Sequence, residues 1–384
     1  MIARTQHRNI TEWLGKGKAL VVIGPRQVGK TTLVRQITEK LAQKTLWLTG
    51  DDPEARSLLD NISLARLQNL VGQNEVLVVD EAQRFTNAGL MLKLITDHLP
   101  QVQLFVTGSS SLDIASQTKE SLTGRKIEFN LYPISFVEMC AQHGYLTERS
   151  LLEHRMLYGY YPEVVQKEPP QAQKILSDLS DGLMYKDLLT LDQIKKPSLL
   201  VKLLQALALQ MGSEVRYLEV AQLIGADPLT VEKYIDLLEQ SFVLFRLPSF
   251  NRNARTEIKK GRKIYFYDNG IRNAIIKNFS PLSLRTDTGA LWENFLLAER
   301  MKRNAYSEYL CNAYFWRTTA QHEIDYVEDA NGQLHAFEFK WHPKKSPRFP
   351  VAFLENYPNS QTTLINRENF EAFIGLQQPG KDEL

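Results

Sequence analysis

The chain reads as an α/β protein of several domains, and three observations carry that reading. Apolar runs of strand length alternate with helical patterns over the first 140 residues. A helical, charged stretch fills the middle. Two runs that alternate apolar and polar residues, joined by Asn331-Gly332, lie near the C-terminus. Strand–helix alternation implies a parallel sheet with helices on both faces. At 384 residues the chain has room for about two to four domains.

Residues 1–18 read as a lead-in helix whose Arg4, Arg8 and Trp13 would cover the edge of a site. Ala19-Leu20-Val21-Val22-Ile23 is a buried strand, and Leu33 to Leu41 follows with helical periodicity. Between them, Gly24-Pro25-Arg26-Gln27-Val28-Gly29-Lys30-Thr31 fits G-x-x-x-x-G-K-[ST] in the strand–loop–helix setting that gives the motif its meaning. Glycines let backbone N–H groups turn inward around phosphates, and the helix N-terminus adds positive charge. Lys30 would reach the β- and γ-phosphates of ATP. The Thr31 hydroxyl would hold magnesium, and Thr32 completes the loop.

Thr45-Leu46-Trp47-Leu48 is a second strand, ending in the turn Gly50-Asp51-Asp52-Pro53. Glu75 to Val79 is a third, and it ends in two acids, Asp80 and Glu81. At such a strand end Asp80 would face the metal through water, and Glu81 would act as general base on the attacking water. Val102 to Val106 runs into Thr107-Gly108-Ser109-Ser110-Ser111. Ser109 is the candidate sensor of the γ-phosphate and Thr107 the alternative; a serine-rich N-cap is the plainer reading of the same residues. Arg125, before the strand Ile127–Leu131, could neutralise transition-state charge in cis or from a neighbouring copy, or be a surface arginine in a turn. Gly24, Asp80 and Thr107 all fall at carboxyl ends of strands, where a ligand of such a sheet belongs.

Taken in order, Gly-Pro-Arg-Gln-Val-Gly-Lys-Thr-Thr, Val-Val-Asp-Glu-Ala-Gln, Thr-Gly-Ser-Ser-Ser, Leu-Thr-Gly-Arg and Leu-Tyr-Pro-Ile-Ser-Phe-Val-Glu resemble the prokaryotic AAA-type ATPases that carry a C-terminal domain of unknown function. Tyr158-Gly159-Tyr160-Tyr161-Pro162-Glu163-Val164-Val165 and Tyr267-Asp268-Asn269-Gly270 extend the resemblance over nearly the whole chain. It implies ATP binding and hydrolysis on an α/β core. It carries the roles above onto Lys30, Thr31, Asp80, Glu81, Ser109 and Arg125.

From 135 to 195 the pattern is helical, with breaks at Pro169-Pro170 and Lys195-Lys196-Pro197. Three helical segments follow: Leu199–Met211, Tyr217–Gly225 and, after the cap Asp227-Pro228, Leu229–Gln240. The strand Phe242–Leu247 comes next. Three helices and a strand pair make a winged helix. Its recognition position offers Thr230, Glu232, Lys233 and Asp236, whereas a helix that reads bases presents Arg, Lys, Asn or Gln. This favours an interaction or structural module over a DNA reader. Arg252, Arg255, Lys259, Lys260, Arg262 and Lys263 could track a phosphate backbone or simply be solvated.

Asn331-Gly332 between Glu323–Val327 and His335–Lys340 is a strong hairpin signal. Pairing 330 with 333 sets Asp325 opposite Glu338, with Lys340 on the same face. Two opposed carboxylates repel unless a cation or a proton relieves them. Glu293, on a helical segment, adds a third acid. The arrangement resembles restriction-endonuclease-like metal nucleases of the D-(E/D)-x-K type, with Ile324 where a proline is usual. The alternatives are the same fold without activity, and a salt-bridged core.

The resulting organisation is a P-loop parallel-sheet ATPase domain (1–140), a helical connector (141–196), a winged-helix-like domain (197–250) and a nuclease-like α/β domain (251–384). Composition is that of an ordinary globular protein, 43% hydrophobic and 23% charged. A net charge of +2 gives no global case for nucleic acid. Cys140 and Cys311 are far apart, as expected of a reducing compartment. No apolar leader or membrane-length run is present, so a cytoplasmic protein is expected, and the Lys381-Asp382-Glu383-Leu384 end is a charged tail rather than an address. Three functions stay open: an ATPase driving its C-terminal domains within a homo-oligomer, an ATP-gated nuclease acting on DNA or RNA, and a nucleotide-dependent scaffold for a protein partner.

Overall fold

The computed structural model describes residues 2–60, 62–108, 122–182, 196–251, 261–318, 320–342 and 349–376. Ser109, Arg252, Arg255, Lys259, Lys260 and the tail from Lys381 lie outside them. The chain divides into two compact units, Met1–Ile134 with Gln240–Phe242, and Ser135–Glu239 with Val243–Leu384. The first compact unit thus ends at Ile134, a few residues before the expected limit of 140. The helical connector, the winged-helix-like region and the nuclease-like region are not separate bodies.

Five strands form the sheet of the first unit: β1 Ala19–Ile23, β2 Thr45–Thr49, β3 Val76–Asp80, β4 Gln103–Gly108 and β5 Lys126–Asn130. All pair in parallel, in the order β2-β3-β4-β1-β5. Every residue of β1 and β3 is buried, as continuous Val/Ile/Leu runs covered on both faces should be. Each fully buried branched side chain contributes about 1.5–3 kcal/mol. The helices are α1 Thr5–Thr11, α2 Lys30–Leu41, α3 Pro53–Leu59, α4 Leu64–Val71 and α5 Ala88–His98. Helix α3 starts where sequence chemistry says it must: Pro53 occupies its first turn and the Asp52 side chain accepts from Glu54 N–H at 2.9 Å. Because β4 lies between β1 and β3, the ends of all three strands meet at one edge of the sheet.

Ser135 opens the second unit with a capping box, its side chain on Glu138 N–H and the Glu138 side chain on Ser135 N–H. That explains the Ser-Phe-Val-Glu motif. Helices α6 Phe136–His143, α7 Tyr145–Ser150, α8 Leu152–Tyr158 and α9 Pro169–Gly182 follow. Next come α10 Pro197–Leu209, β6 Glu214–Val215, α11 Tyr217–Ile224, α12 Pro228–Gln240, β7 Leu244–Pro248 and β8 Arg262–Phe266. The expected breaks at Pro169 and Pro197 are helix starts, where proline costs nothing. Strands β6, β8 and β7 make a three-stranded antiparallel sheet. The remainder is α13 Asn269–Ile275, α14 Thr288–Tyr306, β9 Asn312–Arg317, β10 Glu323–Ala330, β11 Gln333–Phe339, α15 Val351–Asn356, β12 Gln361–Ile365 and α16 Phe370–Phe373. The last four strands form a sheet in the order β12-β11-β10-β9.

The two tyrosine- and aspartate-bearing motifs pack on one another. Asp268 is 4% exposed and accepts from Tyr160 N–H at 2.6 Å and Ile271 N–H at 3.1 Å. Gly159 has φ +70°, and a Cβ there would strike the Asp268 carboxylate. Asn269 donates to the carbonyls of Met156 (3.1 Å) and Leu291 (3.0 Å), while Asn294 bonds both backbone groups of Phe266. Buried amides thus tie backbone groups of α8, β8 and α14 together.

Candidate functional site

The phosphate-binding loop leaves the end of β1 at Gly24. A Cβ there would strike the Leu131 carbonyl, so only glycine lets the loop pass beneath the end of β5. Gln27 takes φ +60° and Gly29 φ +94° as the loop turns into α2. Lys30 is 4% exposed, and its Nζ bonds the carbonyls of Gly24 (3.0 Å) and Pro25 (2.8 Å), inside the loop's own curve. Thr31 and Thr32 are in the first turn of α2, Val28 is buried, Arg26 is half-buried and Gln27 is exposed.

Across the sheet edge, the Thr31 hydroxyl reaches both oxygens of Asp80, at 3.0 and 3.1 Å. Thr107, at the end of β4, donates its hydroxyl to Asp80 Oδ1 and accepts Glu81 N–H at 3.1 Å. The expected set Thr31, Asp80, Glu81 and Thr107 is therefore one connected cluster. Glu81 is held at φ +50°, a region that costs a non-glycine residue of order 1 kcal/mol or more and that clusters at functional sites. The hydroxyl of Thr31 beside a carboxylate is an oxygen pair suited to magnesium, which takes few protein ligands and keeps several waters. Ser109, the other sensor candidate, lies outside the described residues.

Two contributors carry no motif. Arg4, just before α1, donates to Val28 O (2.7 Å) inside the loop and to Tyr132 O (2.6 Å) beyond β5. Gly50 lies against Glu81, where a Cβ would strike the Glu81 carbonyl. Arg125 stands elsewhere. Its carbonyl accepts Ala19 N–H, at the amino ends of β1 and β5, and its side chain pairs with Asp97 at 2.5 Å. A full strand, roughly 16 Å at 3.3 Å per residue, separates it from its own phosphate loop. The cis role drops out for that reason.

In the second unit the hairpin forms in the expected register, from Ala330↔Gln333 to Tyr326↔Phe337. At Asp325 the geometry changes. The pairing of β9 with β10 slips between Ile324 and Val327, and Asp325 Oδ2 accepts Phe339 N–H at 2.7 Å. Lys340 Nζ bonds Glu338 Oε1 at 2.6 Å. Burial and the nearby Asp325 carboxylate push Glu293 up to about 7, against the pull of Lys263 and Tyr265. Burial raises Asp325, and burial with the charge of Asp325 raises Glu338. So the four expected residues share one electrostatic neighbourhood. Among the described residues, however, no group of three or more His, Cys, Asp or Glu side chains is placed to hold a metal ion. Arg262 and Lys263 are strand residues with acidic partners, Glu232 for Arg262 and Glu293 and Glu323 for Lys263, and not a backbone-tracking loop.

Comparison with known proteins divides the chain in three. Residues 16–140 match the AAA domain, and 149–282 and 288–375 match two domains of unknown function (DUF8612 and DUF4143). An uncharacterized protein of Haemophilus influenzae is 24% identical over 309 residues, 74% of each chain. One from Mycobacterium tuberculosis is 24% identical over 331 residues, covering 85% of this chain and 71% of its own. Among solved structures, a signal transduction ATPase with a tetratricopeptide repeat sensor from Pyrococcus horikoshii has 12% identity and a TM-score of 0.33, over 80% of this chain and 48% of that one. Pif1 helicase from Candida albicans has 13% identity and a TM-score of 0.26, over 47% and 48%. This chain spans about half the length of either structure. No described helix is long and apolar enough to cross a membrane. The sheet, the loop and the family match together make residues 16–140 an AAA-type P-loop ATPase domain.

Proposed function

We propose that the chain is a magnesium-dependent ATPase that works as an assembly of copies and uses its second unit to engage a protein partner. The observation that carries the catalytic part is the chain of contacts Thr31–Asp80–Thr107–Glu81 beside the phosphate loop. Loop amides and Lys30 bind the β- and γ-phosphates. Thr31 and Asp80 would hold magnesium, whose chemistry is to neutralise charge building on the phosphates. Glu81 orients the attacking water and accepts its proton. Thr107 touches both acids and so reports the γ-phosphate to each. Arg125 supplies its positive charge only to a neighbouring copy's site.

The partner reading rests on the region α10 to β8, whose helix and strand order is winged-helix-like. Of the four polar residues of α12 that would face DNA, three are already engaged within the region, and only Lys233 is exposed. Asp236 pairs with Arg246 at 2.6 Å, Glu232 with Arg262 at 3.7 Å, and Thr230 N–H with Asp227 at 2.9 Å. Leu218, Leu223 and Leu229 are instead 59%, 66% and 77% exposed, which favours an apolar protein surface over a phosphate backbone.

Phosphate release measured on Lys30→Ala and Glu81→Gln tests the catalytic assignment. Lys30→Ala should lose nucleotide binding, whereas Glu81→Gln should bind ATP and release no phosphate. Wild-type turnover in both overturns the reading.

A further inference from the structure

The carboxylates of the second unit are left unexplained by the ATPase reading. Glu293 on α14, Glu323 and Asp325 on β10, and Glu338 on β11 converge there. A cluster of this kind is usually held by a hard divalent ion, bound through oxygens at about 2.0–2.6 Å. The residues present do not fit such an ion: at least one oxygen of each already has a protein partner, and three of those partners are cations. Lys263 Nζ is 2.6 Å from Glu323 Oε1 and 3.2 Å from Glu293 Oε1. The Tyr265 hydroxyl, two residues along the same face of β8, donates to the same Glu293 oxygen. Asp325 Oδ2 takes the Phe339 N–H, and Glu338 takes Lys340. Arg317 closes the far side, 3.5 Å from Glu323 and 2.9 Å from Glu214.

Lys263 differs from the other cations in its burial. It is 2% exposed, against 35% for the side chain of Lys340 and 29% for that of Arg317. Its ammonium lies 5.5 Å from the centre of the Phe315 ring, which shuts out water on that side. Burial works against its charge, yet the carboxylates of Glu293, Asp325 and Glu323 outweigh burial and hold it protonated.

We propose that Lys263 is the resident cation of this cluster: its ammonium takes the place a divalent metal would fill and keeps that metal out. Two positive centres a few ångströms apart in a dry site repel strongly. The lysine also fixes geometry, since one side chain from β8 joins α14 to β10. The chain therefore gathers acids from a helix and two strands around a tethered ammonium.

The test is manganese binding to the full-length protein without nucleotide, counted by the loss of free Mn2+ electron-spin-resonance signal. Wild type and Asp325→Asn should bind the same number of ions, and wild type should gain no thermal stability from manganese. Lys263→Met, which is close in volume but uncharged, should gain one ion, and the gain should vanish in Lys263→Met/Asp325→Asn. A wild-type manganese site that disappears in Asp325→Asn overturns the proposal. So does a folded Lys263→Met protein, judged by circular dichroism, that gains no ion. If Lys263→Met does not fold, the comparison of wild type with Asp325→Asn decides alone. ATP turnover plays no part in this readout, so its failure and that of the ATPase reading are separable.

Discussion

The Thr31 hydroxyl lies within hydrogen-bond reach of both oxygens of Asp80, 3.0 and 3.1 Å away, although the two residues are 49 positions apart and belong to different strand–helix units. The contact presets the oxygen pair for magnesium. Asp80→Ala should therefore act on metal use before nucleotide use. The magnesium concentration for half-maximal turnover should rise by roughly tenfold or more, the value of one charge-assisted contact. Magnesium-free binding of nucleotide should stay near wild type. An unchanged magnesium titration would remove Asp80 from the metal site.

Arg125 is paired with Asp97 on the sheet edge opposite its own loop. Arg125→Ala should leave ATP affinity intact and lower turnover by about 10³-fold or more, the range for an arginine supplied to phosphoryl transfer. The rate per molecule should rise with protein concentration in wild type and stay flat in the variant. A concentration-independent wild-type rate, with no loss in Arg125→Ala, reduces the residue to a surface ion pair.

Asp287 is paired with Arg285 (2.8 Å) and Arg272 (2.6 Å). Burial opposes its ionisation, but the two guanidinium groups win and pull the carboxyl down to about 2. A depressed carboxyl stabilises the fold above the unfolded pKa near 3.9 and loses that contribution as pH falls toward 2. The window is thus about pH 4 to 2, and because the carboxyl is only half-buried, solvent screening holds the effect to about 1 kcal/mol. Chemical denaturation should show wild type losing stability over that window more steeply than Asp287→Asn. Parallel curves would mean the pair adds nothing.

Gly159→Ala should destabilise the second unit by about 2 kcal/mol or more, because the new methyl meets the Asp268 carboxylate and the backbone is left-handed there. The unfolding transition of that unit should move, while ATP binding by the first stays put. A variant as stable as wild type would show that Asp268 can step aside.

What could be read from the sequence tracks how far its signals reach along the chain. All five strands of the first unit were legible, because each is a short apolar run bounded by turn residues. The hairpin register followed from Asn331-Gly332 alone. Contacts without a local pattern were not legible. Arg4 was expected at the edge of a site, but no motif told that it grips the Val28 and Tyr132 carbonyls from just before α1. Lys263 read as one more member of a basic run, and nothing nearby in sequence announces that it is buried among acids from α14 and β10. Asp325 paired as counted only as far as its neighbour Tyr326, because the slip in β9–β10 turned its carboxylate onto a backbone N–H. The grouping of 135–239 with the C-terminal third was not legible either, because the contacts that join them are tertiary.

Those joining contacts bear on how the protein is made. Phe136 N–H bonds Glu299, 163 residues away, and Tyr145 and Arg149 bond Glu371 and the Arg367 carbonyl, 226 and 218 residues away. The first unit can close its sheet on the ribosome once about residue 134 has emerged, with only Gln240–Phe242 to be added later. The second has no such early stopping point. Its amino-terminal helices wait, apolar faces uncovered, until residues 367–371 have left the exit tunnel. A chain cut at the gap near 283–287, where the two matched domains meet, would release half a core rather than a domain. In the cell, the second unit is the part that a chaperone has most time to find.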